Sequence, residues 1–358
     1  MEEGVLTAWH VVEGSRVEAG DELLDIETTK ISNAVEAGYA GVLRRQIGQP
    51  GQSYPCGALI GVIAEPGVPE QDIESFVAEH SLSVRTREIE QSQASPVTLE
   101  VNGRLLRFLA EGSGDEPVIL IHGFGGDLGN WQFTQPLLSE KRATYAIDLP
   151  GHGGSSKDVA DLRAFEDMAN HLVAFLDQLN LVTAHVVGHS MGAAVALALA
   201  SKHSHRVASL TLLSPAGLGV TPAKEFVYGF VAAKSRREVS AVLKMLVADE
   251  TCVSRDMVED VLKYKRLDGV QAALEHFAQL LEGDSSPALE TLSRLAVPIQ
   301  IIWGACDRVL PPLTTAVLPK NIALTFLQHT GHMPHLERSS QVAALINDFL
   351  GRFAATKQ

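Results

Sequence analysis

The chain reads as an α/β protein preceded by a small all-β domain. Three observations predict this. The first 64 residues match themselves at an offset of roughly 37. From Val97 onward, short apolar runs alternate with helical stretches. One of those runs ends in Gly-His-Ser-Met-Gly and passes directly into an apolar helix.

The repeat defines the small domain, residues 1–64. Gly4-Val5-Leu6 falls on Gly41-Val42-Leu43, Gly14 on Gly51 and Gly20 on Gly57, and the apolar ends "LLDI" and "IGVI" coincide. Short apolar runs punctuated by glycine are strands and turns. Two copies that cannot each bury a face alone predict a symmetric β-sandwich or flattened barrel. Lys30 lies between the copies, in the connection from "DELLDIE" to "ISNAVEA", at the tip of a predicted hairpin.

Glu27-Thr28-Thr29-Lys30 in that setting resembles the lipoyl domains of 2-oxo acid dehydrogenase-type complexes. The resemblance implies lipoate as the cofactor, held as an amide on Lys30. Biotin carrier domains place methionines on both sides of their lysine; Thr29 and Ile31 stand there, so lipoate is favoured. Family members carry a strand before the first "GVL", where this sequence has only Met1-Glu2-Glu3. The expectation is a lipoyl domain without its first strand and with an unpaired edge.

Residues 65–96 read as a short helix, with Ile73, Phe76 and Val77 at helical spacing, followed by a polar linker. The basic, glycine-containing signature of a partner-binding helical domain is missing there.

Residues 97–358 carry the chemistry. "PVILI", "ATYAID", "AHVV", "LTLL" and "IQIIW" read as parallel strands covered on both faces, with ligands expected at their carboxyl ends. Gly188-His189-Ser190-Met191-Gly192 sits on a strand–turn–helix. Serine on so sharp a turn needs glycine on both sides, and its hydroxyl stands at a helix N-terminus, where developing negative charge is favoured. In this context the segment resembles an α/β-hydrolase.

That resemblance implies a base and an acid following the serine in the order Ser, Asp, His. Asp307, after "IQIIWGAC", is the expected acid. His332 is the expected base: Gly331-His332-x-Pro334 with Glu337 matches the family's loop before its last helix, ahead of the rivals His329 and His335. "HGFGG", His122 to Gly126, implies an oxyanion hole from the backbone N–H groups of Phe124 and Met191. His122, His152 and His189 are expected to be structural. Residues 218–292 form a helical insertion, expected as a cap over the strand ends. Its Lys234, Arg236, Arg237, Lys263, Lys265 and Arg266 are interleaved with acids and read as a solvated face; the phosphates of a nucleotide-bearing substrate are the alternative.

A lipoyl domain joined to an α/β-hydrolase domain resembles the dihydrolipoamide acetyltransferase component of acetoin-cleaving dehydrogenase complexes. That family implies an acyltransferase moving acetyl from dihydrolipoyl-lysine to coenzyme A. It also implies a thiamine-diphosphate-dependent acetoin-cleaving component, dihydrolipoamide dehydrogenase and further copies of the chain as partners. The H-x-x-x-D-G motif of the more familiar acetyltransferases is absent. A serine hydrolase tethered to a lipoyl carrier, and a carrier or scaffold with an idle hydrolase fold, are the alternatives.

Composition narrows the setting. At 358 residues and 46% hydrophobic, the chain can bury a large core. A net charge of −14 counts against nucleic acid or an anionic membrane as partner. Cys56, Cys252 and Cys306 are scattered and without metal-site spacing, so neither a disulfide framework nor a metal centre is expected. An acidic N-terminus and the shortness of "AAVALALA" point to a cytoplasmic protein with no membrane segment.

Overall fold

The computed structural model describes residues 3–27, 32–55, 58–77, 94–283, 292–313, 318–319 and 322–354. The chain divides into two compact units, Met1–Gln93 and Ala94–Gln358.

In the first unit, β1 (Glu3–Trp9), β2 (Arg16–Val17), β3 (Glu22–Glu27), β4 (Ser32–Glu36), β5 (Gly41–Gln46), β6 (Ser53–Pro55) and β7 (Gly61–Ala64) form two sheets. Their orders are β4-β3-β1-β6 and β2-β5-β7. Leu6, Val17, Leu23, Leu24 and Ala37 form a core cluster of this unit.

The repeat reappears as paired hydrogen bonds. Gly14 N–H donates to Leu43 O and Gly51 N–H to Leu6 O, both at 2.7 Å. Leu43 N–H donates to Ser15 O (2.9 Å) and Leu6 N–H to Gln52 O (3.0 Å). His10 N–H to Leu23 O and Ile47 N–H to Ile60 O complete a third pair. Gly14 and Gly51 share a φ of +86°, the left-handed region in which a side chain is strained. Each half therefore closes its turn on the other half's leucine, so neither copy completes its hydrogen bonding alone. The symmetry position of β4, beside β7, holds no strand among the described residues.

The β3–β4 register, with Glu27 opposite Ser32, leaves residues 28–31 as the connection. Lys30 belongs to it and lies outside the described residues. The helix read after the repeat, α1 (70–77), belongs to the small unit. Ile73 is buried, and Glu70 at its start pairs with Arg44 and Arg45 of β5. Residues 78–93, the polar stretch read as linker, lie outside the described residues.

The second unit is built on an eight-stranded sheet. In chain order the strands are β8 (Val97–Val101), β9 (Arg104–Glu111), β10 (Val118–Ile121), β11 (Thr144–Ile147), β12 (Ala184–His189), β13 (Val207–Leu213), β14 (Ile299–Gly304) and β15 (Ala323–Leu327). Their spatial order is β15-β14-β13-β12-β10-β11-β9-β8. The β10–β15 pairings are parallel; β8 and β9 are antiparallel, so the sheet is mixed.

Both faces are apolar, as parallel strands covered by helices require. On β10, Ile119 and Ile121 enter one core cluster and Val118 and Leu120 the other. The first cluster includes residues of α3 (Phe165–Gln178) and α4 (Met191–Lys202), and the second those of the C-terminal helix Ser339–Ala354. Among the described residues the cap between β13 and β14 includes α5 (Lys224–Ala232), α6 (Arg236–Lys244), α7 (Arg255–Lys265) and α8 (Val270–Gly283); the short α2 (Gln135–Ser139) lies between β10 and β11. Among the described residues no helix is long and apolar enough to cross a membrane.

The turn symmetry is testable by substitution. A Cβ on Gly14 or Gly51 meets no neighbour, so Ala costs backbone strain alone. Gly14→Ala and Gly51→Ala should each destabilise the small unit by about 1–2 kcal/mol. Hydrogen exchange of its core amides in the full chain should show two nearly equal losses.

Candidate active site

Ser190 closes β12 and opens α4 with φ +51° and ψ −118°. Only close backbone packing keeps it there. A Cβ on Gly188 would stand 2.5 Å from the Gly192 carbonyl oxygen. A Cβ on Gly192 would stand 2.5 Å from the His122 carbonyl oxygen, at the end of β10. Both glycines of the turn are therefore sterically required, as its sequence implied. The Ser190 amide donates to Leu213 O, and Ser190 O accepts from Ala193 and Ala216, which ties the turn to β13.

Asp307 stands just past β14, with its carboxylate buried. Oδ1 accepts from the amides of Val309 (2.8 Å) and Leu310 (2.9 Å). Oδ2 accepts from the Trp303 indole N–H (3.0 Å) and is 2.8 Å from His332 Nδ1. With Oδ2 as acceptor, His332 carries its proton on Nδ1 and leaves Nε2 as the free base. Of the three histidines of this loop, His332 alone meets Asp307. His329 is exposed, and His335 is fully buried with both ring nitrogens unpartnered among the described residues.

The His332 loop is bound to the cap. His332 N–H donates to Leu246 O, and Glu337 accepts from Gly331 N–H and Ala248 N–H. Arg308, beside Asp307, donates to Val247 O (2.9 Å). One short cap segment, residues 246–248, is thus held by the acid loop and the histidine loop together.

Ser190 and His332 line one cavity of about 100 Å³, and no hydrogen bond joins their side chains. An uncomplexed site is often looser than its substrate complex. Phe124, Phe226, Phe230, Leu243, Leu246 and Met257 dominate its walls, and among the described residues no Lys, Arg, Asp or Glu lines it. The backbone N–H groups of Phe124 and Met191 donate to no protein acceptor among the described residues. His122 holds the Phe124 loop: Nδ1 bonds Gly123 O (2.7 Å), and Nε2 accepts from Leu149 N–H (3.0 Å). Burial pushes its imidazole below the usual histidine range, which keeps one nitrogen a donor and the other an acceptor.

None of the six basic residues noted in the cap lines the cavity. Lys265 donates to the carbonyls of Phe230 and Val231 at the end of α5, the terminus where a cation is favoured, and stands 5.0 Å over the Phe230 ring. Lys263 pairs with Asp260, and Arg236 with Glu259. Trp303 and the 246–248 segment escaped sequence reading. The tryptophan showed only as a buried strand residue, and the segment carries no side-chain signature because it acts through its backbone. Among the described residues no cluster of His, Cys, Asp and Glu has a metal-binding arrangement.

Trp303→Phe removes one of four donors from a buried carboxylate. It should cost about 1.5–3 kcal/mol of stability, read by chemical denaturation.

Comparison with known proteins agrees with this architecture. Residues 116–339 match the family described as alpha/beta hydrolase fold, and residues 1–63 the family described as biotin-requiring enzyme. The meta-cleavage product hydrolase of Pseudomonas fluorescens IP01 superimposes with a TM-score of 0.66 at 24% identity, covering 72% of this chain and 97% of its own, a likeness of fold. Two relatives align along nearly the whole length. The dihydrolipoyllysine-residue acetyltransferase component of the acetoin cleaving system of Cupriavidus necator is 39% identical over 98% of this chain and 94% of its own. Its counterpart from Pseudomonas putida is 40% identical over 98% and 95%. A small β domain with a lysine in its β3–β4 connection, joined to a hydrolase-fold unit and aligned end to end with these relatives, places the chain in the family of dihydrolipoyllysine-residue acetyltransferase components of acetoin-cleaving systems.

Proposed function

We propose that the chain is a dihydrolipoyllysine-residue acetyltransferase of an acetoin-cleaving multienzyme system, working through Ser190, His332 and Asp307. The observation that carries this reading is the Asp307–His332 contact beside Ser190 in an apolar cavity. A serine hydroxyl needs a base, and a base of this kind needs an orienting acid. The cofactor is lipoate on Lys30. The four-residue connection between Glu27 and Ser32 suits an attachment turn, and Thr29 and Ile31 do not match the methionines of biotin carriers. Once attached, the group supplies a thiol that carries acetyl as a thioester.

The mechanism follows from the geometry. Ser190 Oγ attacks the thioester carbonyl while His332 Nε2 takes the hydroxyl proton. Asp307 keeps the ring in this tautomer and stabilises its charge. The Phe124 and Met191 amides receive the developing oxyanion; one such donor is worth roughly 2.7–4 kcal/mol. The carbon–sulfur bond breaks, and the leaving thiolate takes the proton from His332. A second thiol, that of coenzyme A, then gives its proton to His332 and attacks acetyl-Ser190. Ser190 Oγ leaves and is reprotonated. The products are acetyl-coenzyme A and the free dithiol, with no change of oxidation state.

The cavity supports a thioester substrate. Its walls are mainly apolar, its polar side chains are Ser190, His332, His189 and Asn130, and among the described residues it offers no Lys or Arg to a phosphate. Coenzyme A therefore enters by its uncharged thiol end, with its phosphates outside. Carrying arm and site on one chain raises the local substrate concentration. In the same reading the complex includes a thiamine-diphosphate-dependent acetoin-cleaving component, dihydrolipoamide dehydrogenase and further copies of this chain, with the cytoplasm as its compartment.

The decisive assay supplies acetyl-dihydrolipoamide and coenzyme A to the chain and to Ser190→Ala, and quantifies acetyl-coenzyme A and acetate. Serine-dependent acetyl-coenzyme A is expected. Serine-dependent acetate alone would make the protein a hydrolase. Acetyl-coenzyme A that survives Ser190→Ala would remove the serine from the mechanism. In a chain expressed with lipoylation enzymes, mass spectrometry should find the adduct on Lys30 and none on Lys30→Arg.

A further inference from the structure

His189, the residue before the serine, is more than a buried filler of the turn. It ends β12, so its backbone is part of the strand that presents Ser190. Its side chain bridges two other parts of the site. Nε2 is 2.8 Å from the carbonyl oxygen of His332, and because a carbonyl only accepts, Nε2 carries the proton. On the other side the ring lies against the Phe124 loop: a Cβ on Gly123 would stand 2.9 Å from His189 Nδ1. The ring centroid is 4.8 Å from that of His332 and 4.5 Å from that of His335, which in turn packs 4.5 Å from Trp131. The side chain is buried and lines the cavity.

We infer that His189 is a positioning residue, which sets the distance between the oxyanion loop and the His332 loop through its Nε2–H···O=C bond and its ring contact with Gly123. It rests on the reading of Ser190 and His332 given above. The physical need is clear. Nucleophile, base and oxyanion donors come from three different strand ends, and an error of about 1 Å among them costs on the order of 100-fold in rate. A neutral ring is suited to the task. Burial, with His335 and His332 nearby, keeps the His189 imidazole well below the usual range, so it adds no positive charge when His332 becomes protonated.

Two amides separate this role from packing. Glutamine places its amide nitrogen where Nε2 stands, whereas asparagine places it where Nδ1 stands, too short to reach the His332 carbonyl. Phenylalanine keeps the ring and loses the donor. The measurement is the rate at which a fluorophosphonate labels Ser190 in the full chain at one pH, with thermal unfolding alongside. This probe needs an activated serine and does not depend on which acyl group is transferred.

His189→Gln is expected to label within about threefold of the natural chain. His189→Asn and His189→Phe are expected to label about 10–100-fold more slowly, by more than any loss of thermal stability they share with His189→Gln. Equal slowing of all three variants would overturn the inference in favour of packing. So would labelling of His189→Asn and His189→Phe at the natural rate. If His189→Phe fails to fold, the Gln–Asn pair alone decides. An unlabelled natural chain would instead remove the Ser190 reading, and this inference with it.

Discussion

A carboxylate buried at the end of β14 organises the large unit. The Asp307 carboxylate is buried away from the protein surface, and a carboxylate so placed needs donors around it. Trp303 supplies one from within the strand, Val309 and Leu310 supply two from the turn that follows, and His332 supplies the fourth from the far side of β15. The course of both loops is set by that requirement. Because Arg308 and Glu337 then bind the backbone of residues 247 and 248, the cap is fixed to the same point. One desolvated charge thereby aligns base, strand and cap before any substrate arrives.

The cap divides the chemistry from the solvent by polarity. Its cavity-facing residues are mainly aromatic and aliphatic, while Lys265 is held at the end of α5 and Arg236 and Lys263 sit in surface pairs. In the proposed reaction, a cavity of low polarity would let the amides of Phe124 and Met191 act on a developing oxyanion with little competition from water. The same polarity suits the reaction proposed for the family. A thioester needs no charged anchor at its reacting end, and acyl transfer to a thiol is favoured where water is scarce. None of the six cations noted in the cap lines that cavity; Arg236 and Lys263 pair with acids at the surface, whereas Lys265 is half-buried against α5.

The small unit derives its stability from exchange between two half-sequences. Each glycine turn donates to the opposite leucine, and the hydrophobic side chains of both halves meet in one core. Docking of α1 through Glu70 onto Arg44 and Arg45 extends the unit beyond the repeat. That contact joins residues about 25 apart, and only Ile73, Phe76 and Val77 announced the helix in the sequence. Their spacing predicts an apolar stripe and says nothing of what it packs against.

What the sequence determined by itself lies where local order has a short-range cause. The repeat, the alternation of apolar runs with helices, and the Ser190 turn with its flanking glycines all depend on neighbours a few residues away. The order Ser, Asp, His was legible because a known family supplied its template, and the choice of His332 over His329 and His335 rested on the same loop pattern. The tertiary structure alone decided the rest. It brought Trp303 onto Asp307, tied backbone 246–248 to the histidine loop, and wedged His189 between Gly123 and the His332 carbonyl. The bond from His189 to the His332 carbonyl spans 143 residues, and it and the ties to residues 246–248 use backbone atoms that every residue type possesses, so no side-chain pattern could have recorded them.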